Sequence, residues 1–254
     1  MATAAAAETV EYVYDGIYAP REVAGYLLAG MPKEYQQRNP PTPHRVHRWI
    51  RVGLVAPEER GTPGRERVMD FEDLVTCQAI TVLRERTRLT LRQILDAERT
   101  VARIFGMDRP FARKRFWFST RELVAALDDE TVVSAVRGGQ IGWRKVIMPA
   151  LEELGQFIEF EPRTGAAVEW EPPRWRGIAL APDVLFGAPC LKGTRIPTDA
   201  LANYAEAGED PALIASSYGI EVADIERAAD WEREVRRALD AVARPAAARV
   251  SHRP

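Results

Sequence analysis

The chain has 254 residues, of which 46% are hydrophobic and 28% charged, and its formal net charge at pH 7 is -2. This length exceeds that of the usual single domain, and the composition is that of a soluble, core-forming protein. A net charge so close to zero gives no overall reason to expect a nucleic-acid binder, so such a function must be argued from the distribution of charge.

The chain termini and the cysteines exclude further classes of protein. No signal peptide opens the sequence, and no apolar run reaches the length of a membrane span, so we expect a cytoplasmic protein without membrane contact. Cys77 and Cys190 are far apart and lack a CxxC spacing, which predicts two buried thiols rather than a disulfide framework or a zinc site. Residues 1–11 and 246–254 are predicted to be disordered tails.

Residues 12–107 have the pattern of a winged helix-turn-helix. Pro20 marks the start of a first helix, which is followed by a long stretch rich in glycine and proline. A second helix is predicted between Thr42, as the N-terminal cap, and Gly53, as the C-terminal glycine. A wing should follow, with strands at Leu54–Val55 and Arg65–Met69.

The second helix has two dissimilar sides. Val46, Trp49 and Ile50 recur at i, i+3 and i+4 and form an apolar seam, while the remaining surface is cationic. Arginine contacts both phosphates and guanine edges, so this pattern predicts a recognition helix, although a solvated basic face is the simpler alternative. The candidate DNA-binding residues of the helix and the wing are His44, Arg45, His47, Arg48, Arg51, Arg65 and Arg67.

Two more helices complete the first region, and a small β-containing region follows at 108–177. Asp70 should cap a helix to Arg86, and Thr90 with Gln93 forms a capping box for a helix that ends at Gly106. In the middle region, Ile147–Leu154 is a candidate short helix and Phe157–Glu161 alternates like a strand. The basic and aromatic segment Arg113–Phe118 is either a nucleic-acid contact or an edge strand.

Residues 178–245 are predicted to form a strand, Ile178–Leu180, and then a three-helix, helix-turn-helix-like bundle. The first helix would be capped by Thr198 and end at Gly208, the second would lie between Asp210 and Gly219, and the third would run over Val222–Val242. The predicted core of this bundle consists of Leu201, Tyr204, Leu213, Ile214, Tyr218, Ile225, Ala228, Ala229 and Trp231. The fold class is therefore mainly α, within the α+β class.

A glycine and proline motif precedes the bundle. Lys192-Gly193-Thr194 inverts the order of a phosphate-binding loop, so a structural turn is favoured over nucleotide binding, with Arg195 tying backbone or an acidic residue. The residues of the motif are Gly187, Pro189, Lys192, Gly193, Thr194, Arg195, Ile196, Pro197 and Thr198.

Two resemblances to known families rest on these segments. The first region resembles the MerR-type winged helix-turn-helix at Tyr18–Ala24, Val46–Val55 and Asp70–Val75, although the insertion before Thr42 is unusually long and Ala19 stands where serine or threonine is usual. The third region resembles domain-of-unknown-function family 433, often found in VapB-type antitoxins, at Gly187, Pro189 and residues 193–198.

Together, the resemblances imply the antitoxin of a type II toxin-antitoxin system. Such a protein would bind double-stranded operator DNA as a homodimer, repress its own operon and neutralise a PIN-like ribonuclease toxin by direct binding. No metal, cofactor or catalytic grouping is predicted, since the three histidines, His44, His47 and His252, have no triad or metal-site spacing, so the chain is not expected to be an enzyme. The alternatives are a one-component transcriptional regulator that senses a small ligand and a partner-binding adaptor without DNA binding.

Overall fold

The computed structural model describes residues 16–56, 68–87, 89–118 and 148–243. These ranges are mainly helical and contain two small antiparallel β-sheets, which confirms the predicted class. The sheets pair β1 (Ile158–Phe160) with β2 (Ala167–Trp170) and β3 (Ile178–Ala179) with β4 (Cys190–Leu191). The described α-helices are α1 (Pro20–Gly30), α2 (Pro43–Arg51), α3 (Phe71–Arg86), α4 (Leu91–Phe105), α5 (Lys114–Phe118), α6 (Met148–Gly155), α7 (Thr198–Ala207), α8 (Pro211–Tyr218) and α9 (Val222–Ala243).

Both ends of α2 are determined by local sequence. The Thr42 hydroxyl accepts a hydrogen bond from the amide of Arg45 at 3.3 Å, and Pro43 occupies the first helical position. At the other end, Gly53 has a φ of +78° and its amide donates to Ile50, while the amide of Leu54 donates to Trp49. These two bonds form a Schellman motif, which satisfies the last carbonyls and stops the helix.

The predicted wing lies mostly in residues 57–67, outside the described residues. The first predicted strand is not found, because Leu54 and Val55 lie in bends. Their side chains are buried, at 2% exposure each. Met69 pairs instead with Tyr18, through two backbone hydrogen bonds of 2.9 Å. The segment that leads into α1 is therefore tied to the segment that leads into α3.

Helix α3 is the centre of the largest hydrophobic core and is buried on nearly all sides. Asp70 caps it as predicted, in a reciprocal capping box with Asp73. The same core takes in Trp117, Leu154 and Trp170 from the middle region. The middle region therefore packs as a continuation of the N-terminal helices.

The segment Arg113–Phe118 is a short helix for most of its length, so its interpretation as an edge strand was wrong. Helix α5 begins at Lys114, and its aromatic residues Phe116 and Trp117 are buried in the core. The indole nitrogen of Trp117 donates to the carbonyl of Phe111 at 3.0 Å. Aromatic burial accounts for the helix here, because both rings face the same core.

The C-terminal bundle buries fewer side chains than predicted. Buried side chains include Leu201, Ile214, Ile225, Ala228 and Ala229, as expected. In contrast, Tyr204, Leu213 and Tyr218 are 38%, 64% and 43% exposed, so their assignment to the core was wrong. Helix α8 buries little besides Ile214 and Ala215, which leaves its other side uncovered among the described residues.

Helix α9 joins this bundle to the N-terminal region. Trp231, which was predicted to lie in the bundle core, instead stacks on Tyr26 of α1 with ring centroids 6.0 Å apart. Nearby, a Cβ on Gly25 would lie 3.0 Å from Leu239 and 3.1 Å from Val235. The missing side chain at position 25 therefore permits the close approach of α1 and α9.

No helix in the described ranges has both the length and the apolar composition needed to cross a membrane.

A second connection joins the loop before β4 to the start of the N-terminal region. The Tyr18 hydroxyl donates to the carbonyl of Gly187 at 3.0 Å, and the amide of Ile17 donates to the carbonyl of Phe186 at 2.9 Å. Gly187 has a φ of +85°, and a Cβ there would lie 2.0 Å from the Tyr18 hydroxyl. Glycine is required at this position on both grounds.

Lys192, in the turn after β4, connects the two sheets through ion pairs. Its Nζ lies 3.0 Å from a carboxylate oxygen of Glu169, 3.0 Å from one of Glu171 and 3.4 Å from one of Glu159. Burial opposes ionisation of Glu171, but the hydrogen bonds from Gly177 and Lys192 outweigh it and lower the pKa of Glu171. The acidic cluster conversely raises the pKa of Lys192.

We predict that Gly187→Ala destabilises the fold more than Gly208→Ala. Both glycines have a left-handed φ, which costs alanine about 1 kcal/mol. Only position 187 adds an overlap with Tyr18, since a Cβ on Gly208 meets nothing within 4 Å, and overpacking should add about 2 kcal/mol. Urea unfolding of both variants measures the difference, and equal losses would contradict the close contact.

We also predict that Lys192→Met lowers the free energy of unfolding at pH 7, whereas Arg195→Met, at an exposed position three residues further on, has little effect. The pKa of Glu171 is lower in the folded protein than its value of about 4.3 in the unfolded chain. The ionised carboxylate therefore stabilises the fold above about pH 4.3. This contribution is lost as the pH falls through the pKa of the folded state. The deficit of Lys192→Met should therefore shrink when unfolding is measured below about pH 4. A deficit that is independent of pH would contradict this role.

Candidate nucleic-acid interface

Helix α2 separates its apolar and cationic side chains as predicted. Val46, Trp49 and Ile50 are 0%, 2% and 6% exposed and pack into the core. The exposed side carries His44, His47, Arg48 and Arg51, which we call the α2 cationic face. Neither Arg48 nor Arg51 forms an ion pair with any residue that the structure describes. Their charge is therefore available to an external anion.

Arg45 differs from its neighbours, because it is turned toward its own chain. It is half-buried, and its guanidinium donates to the carbonyls of Pro40 at 2.9 Å and Arg38 at 3.4 Å. Burial and the nearby charge of Arg84 lower the pKa of Arg45. Arg45 therefore supports the turn before α2 as well as adding charge beside it.

The long connection between α1 and α2 is fastened to the end of α1 and to the end of α3. The Gln36 amide group donates to the carbonyls of Met31 at 2.7 Å and Leu28 at 3.2 Å. The carboxylate of Glu85, at the end of α3, accepts hydrogen bonds of 2.9 Å from the backbone amides of Arg38 and Asn39. These bonds hold α2 in place despite the unusual length of the connection.

A cleft of about 420 Å³ lies beside the cationic face, between α2 and the start of α4. Arg84 and Arg92 could not be predicted as members of this site, because only the packing of α3 and α4 brings them near α2. Arg65 and Arg67, by contrast, lie outside the described residues. We name the cavity the arginine cleft, and it is lined by Asn39, Arg45, Arg48, Trp49, Val52, Arg84, Thr90, Leu91 and Arg92.

The C-terminal motif forms a tight turn, as its glycines and prolines indicate. Gly193 has a φ of +75°, and the amide of Leu191 donates to the carbonyl of Ile196 across the turn at 3.0 Å. The Thr194 hydroxyl donates to the carbonyl of Leu191 at 2.8 Å. Arg195 is exposed and forms no hydrogen bond or ion pair with a described residue, so its predicted tie to the backbone or an acid is not observed.

Thr198 does not cap α7 with its side chain, contrary to the prediction. Pro197 occupies the capping position, and Thr198 is the first helical residue. The Thr198 hydroxyl is instead directed to the carboxylate of Glu232 on α9 and lies 3.2 Å from the carbonyl of Pro189. Together with Lys192, this makes the motif a structural junction between the bundle and the sheets.

Comparison with known structures identifies a shared fold. The crystal structure of Rv2018 from Mycobacterium tuberculosis superposes with a TM-score of 0.63 at 15% sequence identity, covering 83% of this chain and 95% of that one. At this identity the likeness establishes the fold alone. A search of curated proteins finds no match.

One family model matches the C-terminal region, over residues 178–231. The matched segment begins at β3 and ends at Trp231 in α9, so it includes the motif, α7 and α8. Its family is described only as a protein of unknown function, DUF433. Residues 178–231 of this chain are therefore a DUF433 domain, packed through α9 against the helix that precedes the α2 cationic face.

Proposed function

We propose that this protein is a DNA-binding repressor of the antitoxin type, which binds operator DNA through α2 and a ribonuclease toxin through its C-terminal domain. The observation that carries the first part is the α2 cationic face, where two arginines without an ion pair to any described residue and two histidines lie opposite a buried seam. The DUF433 domain and the resemblance to antitoxins support the second part.

The dimensions of α2 suit a major groove. That groove admits an α-helix, and arginine side chains within it reach guanine edges or phosphates. The apolar seam anchors α2 on the core, so the cationic side chains project from a rigid support. Because operators of this kind are inverted repeats, we propose that two copies of the chain bind together.

The exposed apolar residues of the C-terminal domain supply a surface for the toxin. Tyr204, Leu213, Tyr218 and Val222 are exposed on α7, α8 and the start of α9, and we call them the α8 patch. The Tyr204 and Tyr218 hydroxyl oxygens are 3.3 Å apart. Tyrosine-rich apolar surfaces are typical of protein interfaces.

The charge around the α8 patch indicates a basic partner. Residues 199–226 contain no lysine or arginine, and their acidic side chains are Asp199, Glu206, Glu209, Asp210, Glu221, Asp224 and Glu226. A second copy would bring like charges together at this patch, whereas a ribonuclease must carry a basic surface to bind RNA. We therefore assign the patch to the toxin rather than to the dimer.

We predict that Arg48→Ala with Arg51→Ala weakens binding to DNA from upstream of the chain's own gene by about ten-fold or more. The slope of log affinity against log salt should fall by about two, since two phosphate-reaching cations are removed. Fluorescence anisotropy at several salt concentrations measures both quantities.

The matched control is Arg233→Ala with Arg237→Ala, which removes the same charge from exposed positions on α9. This variant should bind DNA like the wild type. Equal weakening in the two double variants would attribute binding to overall charge and contradict the assignment to α2.

We predict that the chain co-purifies with a PIN-like ribonuclease encoded beside it and that Leu213→Arg abolishes this complex. Leu213 is 64% exposed, so a charge there is tolerated by the fold but is placed in the α8 patch. Val168→Arg, at an exposed position on β2, is the control and should keep the complex. A complex that survives Leu213→Arg but is lost with Val168→Arg would transfer the toxin surface to the middle region.

A further inference from the structure

The arginine cleft is a concave site beside the α2 cationic face, with which it shares Arg48. Arg45, Arg48, Trp49 and Val52 line one wall at helical spacing, and Arg84 with the first turn of α4 lines the other. Four of its lining residues are arginines: Arg45, Arg48, Arg84 and Arg92.

The positive charge in the cleft is largely uncompensated. None of its described lining residues is acidic. Glu85, at the end of α3, accepts hydrogen bonds from the backbone amides of Arg38 and Asn39 and pairs with the guanidinium of Arg38. Asp96 pairs with the exposed Arg92, at 3.4 Å. Like-charge repulsion among the guanidinium groups would be relieved by a bound anion.

The size and the lining of the cleft also suit a bound anion. Its volume lies within the range that holds a phosphate group or a small phosphorylated molecule. Trp49, Val52 and Leu91 contribute apolar surface among the guanidinium groups. The planar fork of arginine matches the geometry of phosphate oxygens, which makes phosphate the anion of best fit. The partial positive charge of the first turn of α4 is a smaller contribution.

We propose that the arginine cleft binds a phosphate group through Arg48, Arg84 and Arg92. The phosphate belongs either to the backbone of DNA held by α2 or to a free phosphorylated molecule. In the first case the inference rests on the proposed function and extends the interface to α3 and α4. In the second it stands independently, as an effector site beside the DNA-binding helix.

The test uses variants outside α2, so that the cleft is separated from the cationic face. Arg84→Gln and Arg92→Gln are compared with Arg103→Gln, an exposed arginine in the last turn of α4 that does not line the cleft. Arg84 donates to the carbonyl of Leu89, so its replacement can disturb the fold. Arg92 has a side chain that is 80% exposed, which makes Arg92→Gln the safer variant. Circular dichroism checks that each variant is folded.

Each protein is titrated with inorganic phosphate by calorimetry at constant ionic strength and with upstream DNA by anisotropy. If DNA supplies the phosphate, both cleft variants lose about five-fold or more in DNA affinity and about one unit of salt slope. If a free molecule supplies it, inorganic phosphate binds the wild type and the control but not the cleft variants. Unchanged affinities for both probes in both cleft variants would overturn the proposal.

The two proposals fail in different ways. A wild-type chain that binds no DNA removes the proposed function, while the phosphate titration still decides whether the cleft binds an anion. A chain whose DNA binding depends on Arg48 and Arg51 but not on Arg84 or Arg92, and which binds no phosphate, keeps the proposed function and loses the cleft.

Discussion

The packing of α9 against α1 is the contact on which the arrangement of this protein depends. Gly25 favours it, because a Cβ there would lie 3.0 Å from Leu239 and 3.1 Å from Val235. Trp231 adds to the same contact, because it stacks on Tyr26 and packs edge-to-face against Trp175. The first part of α9 lies in the DUF433 domain and contributes Ile225 and Ala228 to the core of the C-terminal bundle, and the same helix continues into the packing on α1.

This shared helix has a consequence for the proposed function. The α8 patch is attached to α9, and α9 is packed on α1, which in turn contacts α2. The Tyr18 hydroxyl bonded to Gly187 and the three carboxylates around Lys192 add further ties between the motif and the rest of the chain. If a partner binds the C-terminal domain, as proposed, it acts on a body that includes α2 rather than on a tethered module.

Local signals predicted most of the helices because their causes are local. The caps at Thr42 and Asp70, the glycine at Gly53 and the capping box at Thr90 are all present where the sequence predicted them. The seam of Val46, Trp49 and Ile50 was predictable for the same reason, since its spacing requires no tertiary information. Because the seam is buried, the basic residues of α2 are left on its exposed side.

Features that depend on packing between distant segments were missed or misassigned. Tyr204 and Tyr218 fit a helical apolar pattern, but no described element covers them, so periodicity alone placed them wrongly in a core. Trp231 was assigned to the nearest bundle, yet its partner, Tyr26, lies on α1. Arg84 and Arg92 gave no signal, because their proximity to α2 exists only after α3 and α4 have packed.

Amide hydrogen exchange with and without operator DNA is the most direct test of the central claim, that this protein binds DNA through α2. If α2 binds DNA, amide exchange at residues 43–52 should become slower when DNA is added. Residues 204–222, which contain the α8 patch, should show no comparable change. Bound DNA that leaves residues 43–52 unprotected, or that protects the α8 patch instead, would contradict it.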